Sequence, residues 1–244
     1  MFTNVKYKLF TFVNQKKAMD YLQLATQYFE PKLKGKYIHL DTILPILESL
    51  NSDFEITEIG KSVQEREIYQ VKTGTGKTKI LMWSQMHGNE STTTKGLFDF
   101  FNFLQSDNEI ANRIKNEYTL LCIPMLNPDG AFLYTRENAN TIDLNRDAFN
   151  ATQPEMQVLH SIYKSFQPDY CYNLHDQRTI FGTEGFNLPA TVSFLSPAFN
   201  EEREYNDVRL KAIHIINKMN NALQQYIPNQ VGRFDDSYNV NCTG

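Results

Sequence analysis

Apolar and polar residues follow two different periods along the chain, and this pattern predicts where strands and helices lie. Alternation predicts a strand over residues 54–59, and short apolar runs predict two more over 67–71 and 79–83. The run at 118–125 is nearly continuous, which is typical of a strand buried on both faces of a sheet. Residues 170–174 predict another core strand. The chain is therefore expected to build its core around a sheet.

Helical spacing of apolar residues predicts helices around and between these strands. The predicted ranges are 19–29, 41–50, 91–104, 153–166 and 200–226. Strands that alternate with helices indicate an α/β fold with a largely parallel or mixed sheet. In such sheets ligands bind beyond the carboxyl ends of the strands. The residues that directly follow each strand are therefore the first candidates for function.

Two short segments are predicted to be turns. Residues 73–77, Thr-Gly-Thr-Gly-Lys, precede a strand and are predicted to form a hairpin turn between the second and third strands. A phosphate-binding loop would instead follow a strand, so nucleotide binding is not favoured. Residues 127–130, Asn-Pro-Asp-Gly, follow a strand and are also predicted to be a turn. With no repeat and no linker, the chain is predicted to be one domain, 1–244, in which 1–50 is a helical N-terminal segment.

Composition narrows the class of protein. The 244 residues include 24 Lys and Arg against 28 Asp and Glu, a net charge of -4, which argues against a nucleic-acid partner. No stretch approaches the ~18 consecutive apolar residues of a membrane span, so no membrane partner is expected. Cys122, Cys171 and Cys242 are far apart. We expect free thiols, the first two of them buried, in a cytoplasmic protein.

Three residues that follow predicted strands are of the types that bind a catalytic metal. His87 and Glu90 lie three residues apart at the start of a predicted helix, so their side chains can point the same way. His175 follows the 170–174 strand and would project into the same crevice. Two histidines and one glutamate form a typical catalytic zinc set, which leaves a fourth position open. The alternative for His175 is a hydrogen-bonded core residue, and the H-x-x-E spacing of His87 and Glu90 can arise by chance.

Polar residues between these candidates suit the binding of a negatively charged group. Arg136, Asn145 and Arg146 lie on predicted loops, where they could bind a substrate carboxylate or a developing oxyanion. The alternative is surface ion pairing of the two arginines with nearby acidic residues. The residues in question are Glu137, Asp143 and Asp147.

Five motifs in this order, H-x-x-E, N-P-D-G, R-x-N, D-L-N-R and N-L-H, resemble those of the zinc carboxypeptidase family. The resemblance implies a three-layer α/β/α sandwich around a mixed, mostly parallel, eight-stranded sheet. It implies one Zn2+ ion held by His87, Glu90 and His175, and a peptide substrate with a free carboxylate. Arg136 would polarise the scissile carbonyl. Asn145 and Arg146 would bind the terminal carboxylate of the substrate.

The chain departs from the family pattern at the general base, which in the family is a glutamate on a late strand. The glutamates that follow His175 are Glu184, Glu201, Glu202 and Glu204, and none of them ends an apolar strand. We therefore expect that the last strand or strands of the fold, with the catalytic glutamate, are absent from this chain. Two alternatives to a carboxypeptidase stay open: a zinc-dependent N-acyl amino acid deacylase, and an inactive zinc-binding fragment or pseudoenzyme.

Overall fold

The central element of the fold is a mixed five-stranded sheet. The computed structural model describes residues 21–178 and 180–234. The strands are β1 (Phe54–Lys61), β2 (Glu67–Thr73), β3 (Thr78–Ser84), β4 (Tyr118–Ile123) and β5 (Tyr170–Leu174), in the spatial order β1-β2-β4-β3-β5. β2 pairs with β1 and β4 in antiparallel fashion, whereas β3 pairs with β4 and β5 in parallel. The predicted α/β class and the mixed sheet are confirmed.

Seven helices and a small second sheet complete the described part of the chain. The helices are α1 (Tyr21–Gln27), α2 (Leu40–Leu47), α3 (Thr92–Leu104), α4 (Glu109–Glu117), α5 (Pro128–Leu133), α6 (Pro154–Phe166) and α7 (Asp207–Leu223). β6 (Val192–Phe194) and β7 (Val231–Arg233) form the second, parallel sheet. None of the helices within residues 21–178 and 180–234 is long and apolar enough to cross a membrane.

Helices cover both faces of the main sheet. Successive residues of β4 point to opposite faces and pack against different helices. Leu120 and Cys122 belong to the core cluster that contains the buried side chains of α2, α3 and α4. Leu121 and Ile123 belong to the cluster on the other face, with the buried side chains of α6. β4 is therefore buried on both faces, as its continuous apolar run predicted.

The segment that joins β2 to β3 is not a hairpin turn. β4 lies between β2 and β3, so these two strands do not pair with each other. The connecting residues instead pack against the junction of α4 and β4, where Thr75 N donates to Lys115 O and Gly76 N donates to Tyr118 O. The prediction failed because neighbouring strands in sequence need not be neighbours in the sheet.

Three smaller predictions are also corrected. The Asn-Pro-Asp-Gly segment begins a helix, α5, instead of forming an isolated turn. The long C-terminal helix begins only at Asp207. Cys122 is buried as predicted, but Cys171 is exposed because β5 is an edge strand of the described sheet. Cys242 lies outside the described residues.

Candidate functional site

The candidate site lies where the parallel strands β3 and β5 end at the same edge of the sheet. Gln85 follows β3 with a left-handed φ of 44°, which turns the chain sharply out of the strand toward His87. Glu90 follows within the same loop, two residues before the start of α3, and His175 follows the last residue of β5. His87 and Glu90 are almost fully buried, with 1% and 6% of their surfaces exposed.

The three predicted metal ligands come together in the structure. His87 Nδ1 lies 3.0 Å from Glu90 Oε1, and His175 Nδ1 lies 2.8 Å from Glu90 Oε2. The candidate ligand atoms of the three residues all lie within 4.8 Å of one another. Two imidazole nitrogens and one carboxylate are the donor set of a catalytic zinc site with an open position. The residues present therefore fit a zinc ion.

Asp143 contacts the far side of the His87 ring, although it was not among the predicted site residues. Its Oδ1 lies 3.0 Å from His87 Nε2. A proton on Nε2 would be donated to this carboxylate, which leaves Nδ1 able to bind a metal. The only sequence signal was the position of Asp143 at the start of the D-L-N-R motif.

Arg136 connects Asp143 to the metal-ligand cluster. Its Nε donates to Asp143 Oδ2 at 3.0 Å, and its Nη1 donates to Glu90 Oε1 at 3.3 Å. Arg136 therefore forms the ion pair with Asp143 that was the alternative to a substrate-binding role. The same pair places the guanidinium beside Glu90. Ion pairing of Arg136 with Asp143 is therefore compatible with a role in binding a negatively charged group.

Burial and hydrogen bonding act in opposite directions on the ionisable groups of the site. Burial disfavours the charged form of Glu90, but hydrogen bonds from His175 and His87 hold its pKa well below the usual range. For Asp143, burial is likewise outweighed by His87 and Arg136, which lower its pKa. Burial alone would lower the pKa of His87, yet its hydrogen bonds to Asp143 and Glu90 raise it. The carboxylates are therefore ionised at neutral pH, as metal ligands and their partners must be.

Asn145 and Arg146 lie on the same turn as Asp143. The backbone N of Asn145 donates to Asp143 Oδ1 at 2.9 Å, and the backbone N of Arg146 donates to Asp143 O at 2.9 Å. Asn145 is half-buried and Arg146 is exposed. The carboxylate that contacts His87 thus also fixes the turn that presents both predicted substrate-binding residues.

The Asn-Pro-Asp-Gly motif supports the loop that carries His87. Asn127 caps α5 with its side chain, donates its backbone N to Gln85 O at 3.0 Å, and donates Nδ2 to Met86 O at 3.2 Å. Gly88 and Gly130 are in close contact, since a Cβ built on Gly88 would lie 1.9 Å from Gly130 C. The motif is therefore a structural part of the site.

Asn138 holds the loop between Arg136 and Asp143 in place. Its Oδ1 accepts from the backbone N of Asn140 and of Ile142, both at 3.1 Å. Its Nδ2 donates to Glu155 Oε2 at 3.1 Å, and Glu155 is fully buried at the start of α6. α6 thus anchors the segment that carries the polar candidates.

The four glutamates that follow His175 are Glu184, Glu201, Glu202 and Glu204. All four are exposed, and Glu184 lines a cavity of about 500 Å³ beside β6 and β7. The metal-ligand group found among the described residues contains none of them.

Comparison with known proteins identifies the family. The model of the family described as "Zinc carboxypeptidase" matches residues 43–171, which include His87, Glu90 and Arg136. Carboxypeptidase 2 of Trichophyton rubrum is 25% identical over 100 residues, 40% of this chain and 19% of that protein. Cytosolic carboxypeptidase 6 of Mus musculus is 26% identical over 136 residues, 52% of this chain and 25% of that protein.

A solved structure shares the fold. The carboxypeptidase A of Helicoverpa armigera has a TM-score of 0.62 at 17% identity, with 87% of this chain and 64% of that chain covered. The chain spans about a fifth to a quarter of the length of the two curated relatives. Because the family model matches more than half of the residues, the chain belongs to the zinc carboxypeptidase family.

Proposed function

We propose that the protein is a zinc-dependent carboxypeptidase that removes the C-terminal residue of peptides with a free carboxylate. The observation that carries this proposal is the convergence of His87, Glu90 and His175 beside the guanidinium of Arg136. Family membership supports a metallocarboxypeptidase-like hydrolase. The substrate and the metal are our proposals for this chain.

Each residue of the site has a proposed role. His87, Glu90 and His175 would hold one zinc ion, which when bound activates a water molecule and polarises a carbonyl. Arg136 would stabilise the negative charge that develops on the scissile carbonyl oxygen. Asn145 and Arg146 would orient the substrate by binding its terminal carboxylate.

An inactive zinc-binding protein is the second candidate function. The specific observation in its favour is that Glu184, Glu201, Glu202 and Glu204 are all exposed, whereas a general base must lie within hydrogen-bond reach of the water that it activates. The loss of a general base typically costs 10²–10⁴-fold in rate. This candidate predicts zinc binding without hydrolysis.

Metal analysis tests the ligand set. We expect about one zinc per wild-type chain, and His87→Ala should abolish stoichiometric zinc because it removes one of three ligands. His214→Ala is the matched control, since His214 is an exposed residue of α7 and should leave the zinc content unchanged. Undiminished zinc in His87→Ala would overturn the ligand assignment.

A hydrolysis assay of the zinc-loaded protein separates the candidates. A carboxypeptidase should cleave a peptide with a free C-terminus and not the same peptide with an amidated C-terminus. Faster hydrolysis of N-acyl amino acids than of peptides would instead establish a deacylase. Zinc binding with no hydrolysis of either substrate would establish the inactive candidate.

We also propose a cytoplasmic location. Cys122 and Cys171 are free thiols, and one of the relatives is named a cytosolic carboxypeptidase. Fractionation of the source cells should recover the protein with cytoplasmic markers. Recovery with secreted or membrane fractions would overturn this assignment.

A further inference from the structure

We propose that Asp176 is a positioning residue, which sets the spacing between the metal ligands His175 and Glu90 by capping helix α3 from the end of β5. This inference rests on the proposed zinc site. Asp176 follows His175 directly, and Glu90 lies two residues before the start of α3. A link between Asp176 and α3 is therefore also a link between two ligands that are distant in sequence.

The first turn of α3 receives its cap from Asp176 and not from its own N-cap residue. Ser91 makes no side-chain cap, because its Oγ donates to Lys36 O at 2.8 Å. Instead, Thr92 N donates to Asp176 Oδ1 at 2.8 Å, and Thr92 Oγ1 donates to Asp176 Oδ2 at 2.9 Å. Thr93 N donates to Oδ1 at 3.4 Å. A residue 84 positions away in sequence thus satisfies amides that helix ends leave without partners.

The backbone of Asp176 contacts the metal-ligand cluster itself. Its N–H donates to Glu90 Oε2 at 3.3 Å, the same oxygen that lies 2.8 Å from His175 Nδ1. One residue therefore contacts the ligand that precedes α3 with its amide, and the start of α3 with its carboxylate.

A second contact supports the same junction without replacing it. Thr93 Oγ1 donates to Leu174 O at 3.2 Å, which joins α3 to the last residue of β5. This neutral hydrogen bond ends at Leu174, before the ligand. Among the described residues, the contacts of Asp176 with Thr92 and Thr93 join the segment beyond His175 to α3.

Asp176 acts through the ligands and is not a ligand of the cluster. Both of its oxygens accept from Thr92, and the metal-ligand group found in the described residues does not include it. A bound zinc tolerates only ~0.2 Å of error in its ligand distances. Loss of partners that orient ligands typically costs 10–100-fold in metal affinity. We therefore expect Asp176 to affect zinc affinity through geometry.

The zinc dissociation constant, measured by competition with a chromophoric chelator, tests this role. Asp176→Ala removes the cap, and the zinc Kd should rise about 10- to 100-fold. Asp176→Asn keeps a good capping side chain, and its Kd should stay close to that of wild type. Thr92→Ala removes one of the hydrogen bonds to Asp176 and should give an intermediate Kd, which provides a measurement if Asp176→Ala fails to fold.

Asn108→Ala is the matched control for a general loss of helix capping. Asn108 caps α4 by accepting from Ile110 N at 2.8 Å, and α4 carries none of the proposed ligands. This variant should unfold more readily, as we also expect of Asp176→Ala, but it should bind zinc as tightly as wild type. An unchanged Kd in Asp176→Ala and Thr92→Ala, or an equal rise in Asn108→Ala, would overturn the positioning role. Failure of the wild type to bind zinc would instead overturn the proposed function.

Discussion

At the scale of single residues, Arg136 is held by two carboxylates at once and yet keeps about a third of its side chain exposed. Its contacts to Asp143 and Glu90 fix the guanidinium plane, while the exposed part can face a substrate. A lysine has no planar group that could bind both carboxylates in this way. The function of this residue should therefore depend on its shape as well as its charge.

Arg136→Lys should lower kcat for peptide hydrolysis about 10²–10³-fold, the usual cost of losing one donor to a developing oxyanion. KM should change little, because this interaction strengthens in the transition state. Steady-state kinetics measure both constants. Arg113→Lys is the control, since Arg113 forms only an exposed ion pair with Glu117 on α4. Equal kinetic losses in the two variants would contradict the proposed role.

Arg146→Ala should chiefly raise KM, because it removes the charge proposed to bind the substrate carboxylate. A hydrogen bond to a charged group contributes roughly 1.5–3 kcal/mol, which corresponds to a loss of about 10–100-fold in kcat/KM. The measurement compares a free peptide with its amidated form. A similar loss for both substrates would show that Arg146 does not recognise the carboxylate.

The convergence of His87, Glu90 and His175 could be predicted from the sequence, but the contact of Asp143 with His87 could not. His87 and Glu90 are local neighbours, and His175 directly follows a recognisable strand. The importance of Asp143 depends on its contact with a ring 56 positions earlier, which no local pattern encodes. The capping of α3 by Asp176 has the same long-range origin.

At the scale of elements, the loop after β3 and helix α5 meet through two glycines. A Cβ on Gly88 would lie 1.9 Å from Gly130 C and 2.1 Å from Ala131 N, both of them backbone atoms. Backbone cannot turn away as a flexible side chain can. The His87 loop and the helix that supports it therefore require glycine at this position.

Gly88→Ala should lower the free energy of unfolding by at least about 1–3 kcal/mol, the typical cost of overpacking a well-packed interior, and it should also weaken zinc binding. Gly96→Ala is the matched control. A Cβ on Gly96, within α3, would meet no atom within 4 Å, so this variant should gain roughly 0.5–1 kcal/mol from higher helix propensity. Denaturant unfolding measures both values. Similar stabilities for the two variants would refute the close-contact argument.

Glu155 at the start of α6 should make stability fall as the pH rises. Burial raises its pKa above the ordinary value of 4.5, and the hydrogen bond from Asn138 offsets this only in part. Its contribution to stability is therefore present below the unfolded-state pKa and is lost as the pH rises through the higher folded-state pKa. Nearby Asp129 acts in the same direction.

Glu155→Gln removes this titration and keeps an amide oxygen for Asn138. The unfolding free energy of wild type relative to the variant should decrease as the pH is raised from about 4.5 toward neutrality. Urea unfolding at a series of pH values measures the slope. An opposite slope for Glu155→Gln would mean that burial does not dominate the pKa of Glu155.

Strongly patterned elements could be predicted and weakly patterned ones could not. α3 and α6 have apolar residues at helical spacing, and their predicted bounds agree with the structure to within one residue. α4 buries only Ala111 and has many polar residues, so its pattern resembles that of a loop. β6 and β7 have three residues each, too few to show a period.

At the scale of the whole molecule, the proposed metal site joins parts of the chain that are far apart in sequence. His87 and Glu90 follow β3, whereas His175 follows β5. All the elements from α3 to α6 lie between these two positions in sequence. An ion bound by all three residues would oppose separation of these parts. Its effect should therefore extend to global unfolding.

Zinc should raise the unfolding free energy by about 2.7 kcal/mol when its free concentration is 100 times its Kd. Thermal unfolding with zinc, and again after a chelator is added, measures the gain and its reversal. His87→Ala should show no gain, whereas His214→Ala should behave as wild type. A wild-type melting temperature that does not respond to zinc would contradict the link between the site and global stability.

The order of strands could not be predicted from the sequence. β4 lies between β2 and β3, where both of its edges are paired and helices cover both of its faces, and this position suits its buried apolar residues 120–123. The residues of β2 and β3 give no indication that a third strand separates them. The strand order therefore depends on which strand is best suited to the interior of the sheet, and this is a property of all the strands together.

The interior position of β4 also sets the order in which the protein can assemble during synthesis. β1 and β2 can pair as soon as they leave the ribosome, but neither neighbour of β3 exists until residues 118–123 and 170–174 have been made. At about 5–20 residues per second, β3 waits for seconds with both edges unpaired. During synthesis, the strand that leads to His87 and Glu90 therefore passes through a stage with unpaired edges, which makes a nascent chain prone to aggregation.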